Sequence, residues 1–175
     1  MKKLETATNC AVLVVALLMS VVMVKQFLLP HNDRQSVAIS DTSEQLNEPL
    51  KGKVLALSGV RWNAAHPTLV MALATYCHFC IDSTKFYQRL SDLKQSGTIS
   101  TPLVAAFPEN AEQASKFAAQ YHLRPDQIVS ASLDSMGVSG TPTLLLVGSD
   151  GRVQRQWVGQ LSAAEQETVI KTLQN

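Results

Sequence analysis

Little in this 175-residue chain marks it for a charged partner. Fifteen Lys and Arg against fourteen Asp and Glu leave a formal charge of +1, without the basic excess that a nucleic-acid binder carries. Charged residues make up 17% of the chain, where about 25% is usual, and aromatics only 6%. Three cysteines are too few to staple a small scaffold, so any fold has to rest on a hydrophobic core. Internal repeats and low-complexity tracts are lacking. A hydrophobic content of 46% excludes disorder over the whole length, and the length suits one domain and not two.

What is present begins at residues 11–29, AVLVVALLMSVVMVKQFLL, interrupted only by Ser20, Lys25 and Gln26. Nineteen residues span about 28 Å as a helix, close to the hydrocarbon thickness of a bilayer. Lys25 lies near the far end, where its stem can carry the ammonium to the headgroups. A cleaved signal peptide would have a shorter apolar region and a small-x-small site, which Lys25 to Pro30 does not offer. The expectation is a single N-terminal transmembrane helix acting as an uncleaved signal anchor over residues 10–29, behind a cytoplasmic stretch 1–9. Lys2 and Lys3 hold that stretch inside by the positive-inside rule, a bias softened by Lys25 and Arg34 on the other flank. Residues 30–50, polar and bounded by Pro30 and Pro49, read as a linker. Residues 51–175 are then a domain outside the cytoplasmic (inner) membrane, in a periplasm or its equivalent. Cys10, at the cytoplasmic edge of the span, cannot meet the other two cysteines.

That domain carries eleven basic and nine acidic residues, a net of +2, so no charge signature survives in it. Thr68–Ala74 is a continuous apolar run of strand length, as expected of a strand buried on both faces. Phe86, Leu90 and Leu93 recur at helical spacing directly after it. Leu103–Phe107 predicts a second buried strand, and Ala114, Phe117, Ala118 and Tyr121 a second amphipathic helix. Leu144–Val147 predicts a third strand. A Ser149-Asp150-Gly151 turn leads into a fourth, through Val153, Arg155 and Trp157. Ser162 and Glu165 form a capping box that opens a last helix, with Val169, Ile170 and Leu173 on its buried side. Lys53–Val60 is irregular or a short hairpin. The order β-α-β-α-β-β-α predicts an α/β domain, a mixed central sheet with helices on both faces.

The chemistry is concentrated in Cys77-His78-Phe79-Cys80, where a buried strand meets a helix start. Unpaired N–H groups and the helix dipole favour negative charge there, which suits Cys77 to attack. Cys80, one turn inside, would be shielded and suited to resolving. A disulfide closing so short a ring removes little loop entropy, so stapling is a poor reason for the motif. Half of a zinc site is another reading, but structural zinc takes four ligands and the sequence holds no second C-x-x-C or H-x₃₋₅-H. His66 and His122 are isolated. A chance pairing of two buried cysteines is the third reading.

Gly140-Thr141-Pro142-Thr143 opens the third strand. Proline lacks a ladder donor, so a strand start is an ordinary place for it. A cis-Pro packed in a tight turn beside the C-x-x-C is the other reading.

These elements in this order resemble the thioredoxin fold. The stretch MGVSGTPTLLLVGSDGRVQRQWVGQL (136–161) is more narrowly similar to membrane-anchored thiol-disulfide oxidoreductases of the TlpA/ResA type. The likeness covers about residues 51–175. It implies that Pro142 is cis. It also implies that the strand and helix around residues 103–121 fit the insertion of that type, in keeping with 62 residues from Cys80 to Pro142. Two positions depart from the pattern. Tyr76 stands where thioredoxins commonly carry Trp, and Met71 stands where they commonly bury an acid. The proton of Cys80 would therefore leave through water or another group.

The resemblance implies thiol-disulfide exchange on protein dithiols and disulfides, with the Cys77–Cys80 pair as the only redox group and no other cofactor or metal. Cysteine-containing protein substrates and a redox partner protein are the implied partners, and nucleic acid is not among them. The Thr141 backbone would pair with a partner's extended segment, Pro142 would shape the groove, and Tyr76 and Phe79 would form an apolar rim. Packing in the core is the other reading of each ring. His78, beside Cys77, would tune its thiolate. The rival from a different class is a metal-binding module or chaperone, with Cys77, His78 and Cys80 as soft ligands for copper.

Overall fold

The computed structural model describes residues 49–174. The expected cytoplasmic stretch, the signal anchor 10–29, Cys10 and nearly all of the linker lie outside the described residues. Among the described residues no helix is long and apolar enough to cross a membrane.

Five strands form one mixed sheet: β1 (Thr68–Ala72), β2 (Leu103–Phe107), β3 (Gln127–Ser130), β4 (Thr143–Val147) and β5 (Val153–Val158), in the spatial order β3-β2-β1-β4-β5. β1, β2 and β3 run parallel, and β4 is antiparallel to both β1 and β5. All five residues of β1, of β2 and of β4 are buried, as continuous apolar runs in the middle of a covered sheet must be. Leu103–Phe107 is thus an interior strand, and the edge beyond it is β3.

The helices are α1 (His78–Asp82), α2 (Thr84–Gln95), α3 (Ala111–Gln120), α4 (Leu133–Met136) and α5 (Ala163–Leu173). They lie on both faces of the sheet, but unequally. The chain steps from β1 to β2 to β3 in one direction, so two right-handed crossovers deliver α2 and α3 to the same face. There Phe86, Leu90, Phe117 and Ile170 pack on Leu69, Met71, Leu103, Phe107 and Leu144. The opposite face, Val70, Ala72, Val104, Leu145 and Val147, is covered by Leu50, Leu55, Leu57, Met136 and Val138. The 53–60 segment is neither helix nor hairpin. Its start crosses the β4–β5 turn through a single antiparallel bridge, Val54 to Arg152.

Side-chain hydroxyls divide what periodicity predicts as one helix after the C-x-x-C. Ser83 Oγ donates to Phe79 O at 2.7 Å and Thr84 Oγ1 to Ile81 O at 2.7 Å, and Ser83 both ends α1 and starts α2. A register shift between Leu146 and Val147 breaks the alternation expected along β5. Gln156, rather than Arg155, therefore comes to the buried face, where its Oε1 accepts from Leu50 N at 3.2 Å. The Ser162/Glu165 capping box is present with both reciprocal bonds.

Candidate active site

β1 ends at Ala72, but its direction persists: Leu73 N donates to Ala106 O at 2.9 Å, and Leu73 and Ala74 stay buried. The chain then turns, with Cys77 N on Ala74 O at 3.2 Å, and Cys77 becomes the N-cap of α1. Serine and aspartate commonly fill that place, accepting an orphan N–H with a side-chain oxygen. Here sulfur does so, accepting from Cys80 N at 3.2 Å. The same Sγ donates to Thr141 O at 3.3 Å, which ties the cysteine to the loop before β4.

The two cysteines are free thiols in unlike surroundings. Cys77 is half-buried, whereas Cys80 is fully buried among core side chains. Burial, joined by the hydrogen bond with Cys77, pushes the Cys80 thiol from 9.0 up to about 12, because a thiolate there would lose its hydration. Buried Tyr87 has its phenol pushed above its ordinary 10.0 for the same first reason, with Cys80 and Cys77 adding to the shift. One sulfur is reachable and held by hydrogen bonds. The other is sealed and keeps its proton.

The Thr141-Pro142 peptide is cis, as the resemblance implies and as base rates alone would not. Its loop is braced from both sides: Thr143 Oγ1 donates to Gly140 O at 2.8 Å, and Gly159 N to Pro142 O at 2.7 Å. Pro142 is buried and Thr141 half-buried. Tyr76 is 78% exposed and Phe79 54%, so neither ring packs in the core. Val158, opposite Thr143 in the sheet, is also exposed and adds an apolar surface beyond the cis peptide.

His78 points away from the sulfurs' burial. Its side chain is 80% exposed, with Nε2 3.1 Å from Asp82 Oδ2 one turn on and its ring edge-on to Phe79. Among the described residues no group of three His, Cys, Asp or Glu side chains is placed to hold a metal ion.

Glu109 is the site residue that sequence reasoning missed. Its Oε1 accepts from both Thr75 N and Thr75 Oγ1 at 2.8 Å, clamping the turn two residues before Cys77. Ser130 Oγ in turn donates to Glu109 O at 2.9 Å. Parallel pairing of β1 with β2 sets the ends of both strands side by side, so the loop after one meets the loop after the other. Glu109→Ala removes the acceptor of two donors in a part-buried turn, at an expected cost of about 1–3 kcal/mol. Denaturant midpoints check this, and Glu109→Gln, which keeps an acceptor oxygen, should recover most of the loss. Full stability of the Ala variant would remove the clamp.

A family model described as a thioredoxin-like domain matches residues 56–174. Among solved structures, a putative thiol:disulfide interchange protein DsbE from Chlorobium tepidum is 19% identical. It superposes with a TM-score of 0.55 over 69% of this chain and 93% of its own. A thiol:disulfide interchange protein from Bacteroides sp. is 15% identical, with a TM-score of 0.56 over 71% of this chain and 91% of its own. StoA from Bacillus subtilis is 20% identical, with a TM-score of 0.50 over 62% and 83%. At such identities the likeness is one of fold. No curated protein matches the sequence. With the family match running from the 53–60 segment through the C-x-x-C and the cis-Pro loop to the end of α5, the chain belongs to the thioredoxin-like domain family.

Proposed function

We propose that this protein is a membrane-tethered, extracytoplasmic thiol-disulfide oxidoreductase acting on cysteine-containing proteins through Cys77 and Cys80. The observation that carries the reading is the asymmetry of the pair, one sulfur capping a helix at the surface and the other sealed in the core. Family membership and the names of the similar structures support it.

Cys77 thiolate attacks one sulfur of a substrate disulfide and the other leaves as a thiolate. Cys80 then gives up its proton, through water or another group, to the released substrate thiolate and attacks Cys77 Sγ. The Cys77–Cys80 bond forms, the mixed disulfide breaks, and two electrons have passed to the substrate as two thiols. A redox partner protein reverses these steps. Burial disfavours the Cys80 thiolate in the dithiol protein, which suits a resolver rather than an attacker. The pair itself is the redox group and no further cofactor enters. Tyr76 and Phe79 form the rim against which the partner rests, and the Thr141 backbone pairs with its extended segment beside Pro142. Residues 10–29 anchor the domain in the cytoplasmic membrane, and 30–50 tether it.

Reduced protein mixed with insulin tests the chemistry: precipitation of the insulin B chain is expected. Its absence would sink the reading. Protease added to intact spheroplasts tests the topology, since the domain should be removed and a small protected stub left. Full protection would place the domain in the cytoplasm.

His78, when protonated, is proposed to favour the Cys77 thiolate, an influence that Asp82 and solvent damp. Stabilising the thiolate favours the reduced form, so His78→Ala should make the pair's reduction potential more negative. A potential that stays put or rises removes His78 from the site.

A further inference from the structure

We propose that the Cys77 thiol and a partner's backbone N–H compete for one acceptor, the Thr141 carbonyl, so that the oxidised protein binds an extended partner segment more tightly than the reduced protein does. The inference rests on the reading of Thr141 as the partner's pairing point.

Three successive carbonyls form the cis-Pro loop, and the fold uses two of them. Gly140 O accepts from Thr143 Oγ1, and Pro142 O accepts from Gly159 N. Thr141 O accepts from neither framework strand. It takes the Cys77 thiol at 3.3 Å. Thr141 is half-buried, and a carbonyl in such a place gains from having a donor. The donor it has is one of the two thiols that lose their hydrogen during the proposed reaction.

When the pair reduces a substrate disulfide, both thiol hydrogens leave with two electrons and the substrate ends as two thiols. Cys77 Sγ, now bonded to Cys80, has nothing to donate. Thr141 O is then an acceptor without that donor, and an incoming strand's N–H restores the bond. In the dithiol state the same N–H has to displace the thiol first. A carbonyl has two lone pairs, so the contest is also one of room. Sγ stands 3.3 Å from Thr141 O, and any segment joined to Cys77 is joined through that sulfur.

The consequence is directional. The disulfide form gathers partners that bring thiols to reduce it. The thiol created at Cys77 by the exchange then helps to evict the oxidised product. A net hydrogen bond of about 0.5–1.5 kcal/mol corresponds to a preference of roughly two- to tenfold. By linkage, a segment bound tenfold tighter to the oxidised form lowers the pair's potential by about 30 mV.

The probe is insulin B chain with its cysteines replaced by serine, titrated into detergent-solubilised full-length protein. Four forms are compared: oxidised, reduced, Cys77→Ala and Cys77→Ser. The oxidised protein and Cys77→Ala, neither with a donor at residue 77, should bind two- to tenfold more tightly than the reduced protein. Cys77→Ser, which keeps a hydroxyl donor, should bind as weakly as the reduced protein or more so. The potential of the wild-type pair, measured with and without the probe, gives a second reading that needs no variant: it should fall when the probe is bound. Equal affinity of the two redox forms overturns the proposal. So do tighter binding to the reduced form, no binding to the oxidised form, and Cys77→Ala binding like Cys77→Ser. Reduction of unmodified insulin by the same preparation is scored separately, so a failed preference in an active enzyme is distinct from a failed enzyme.

Discussion

Cys80→Ser should turn a catalyst into a trap. With Cys10 replaced by alanine so that only the pair is read, the variant is expected to attack a disulfide protein once through Cys77 and stop. Turnover with insulin should fall on the order of a thousandfold or more, since a step that needs both sulfurs is lost outright. A mixed disulfide should accumulate in its place, visible as an adduct that reductant dissolves. Cys77→Ser should lose turnover equally and trap nothing, because Cys80 is fully buried and its thiol is pushed up to about 12. At neutral pH it has neither the access nor the charge to attack an outside disulfide. The two variants thus fail alike in rate and oppositely in product. Equal trapping by both would mean that α1 opens far enough to expose Cys80, and the division of labour would be lost.

The unlike burial of Cys77 and Cys80 was legible in the sequence because it depends on short-range order. A seven-residue apolar run, then C-x-x-C, then Phe86, Leu90 and Leu93 at helical spacing fix where the motif sits, and a helix start treats its first and fourth residues differently. Gly140–Thr143 and the Ser162 capping box are equally local. What stayed hidden is short or depends on register. β3 has four residues, two of them apolar, and α4 is a single turn, so neither shows a period. The bulge at Leu146/Val147 arises between paired strands, and no pattern within β5 announces that Gln156 will be buried. Glu109 escapes the sequence because its carboxylate reaches Thr75 from the loop after the neighbouring strand and not from β1 itself. The sequence distance from Thr75 is 34 residues, and only the parallel pairing closes it.

Alkaline unfolding should separate the two redox states. Cys80 ionises near 9.0 in the unfolded chain and near 12 in the folded one, chiefly because burial disfavours the thiolate. Below pH 9 both states hold the proton and stability does not change with pH on its account. Above it the unfolded chain releases the proton and the folded chain keeps it, so the unfolded state is favoured increasingly as pH rises. The slope for one such group is about 1.4 kcal/mol per pH unit, continuing toward the folded value. Tyr87, also raised by burial, adds a second loss of the same sign that begins only above 10.0. Oxidation removes the Cys80 proton from the balance and leaves Tyr87 in it. Between pH 9 and 10 the reduced protein should therefore lose stability steeply, while the oxidised protein stays nearly level. Beyond 10 both should fall, the reduced form faster. Urea midpoints taken in parallel with and without reductant measure the two slopes directly, whatever the disulfide does to their absolute values. Reduced Cys80→Ser, whose hydroxyl does not titrate in this range, should follow the oxidised curve. Parallel slopes for reduced and oxidised wild type would mean that Cys80 meets water in the folded protein, and the sealed resolver would have to be given up.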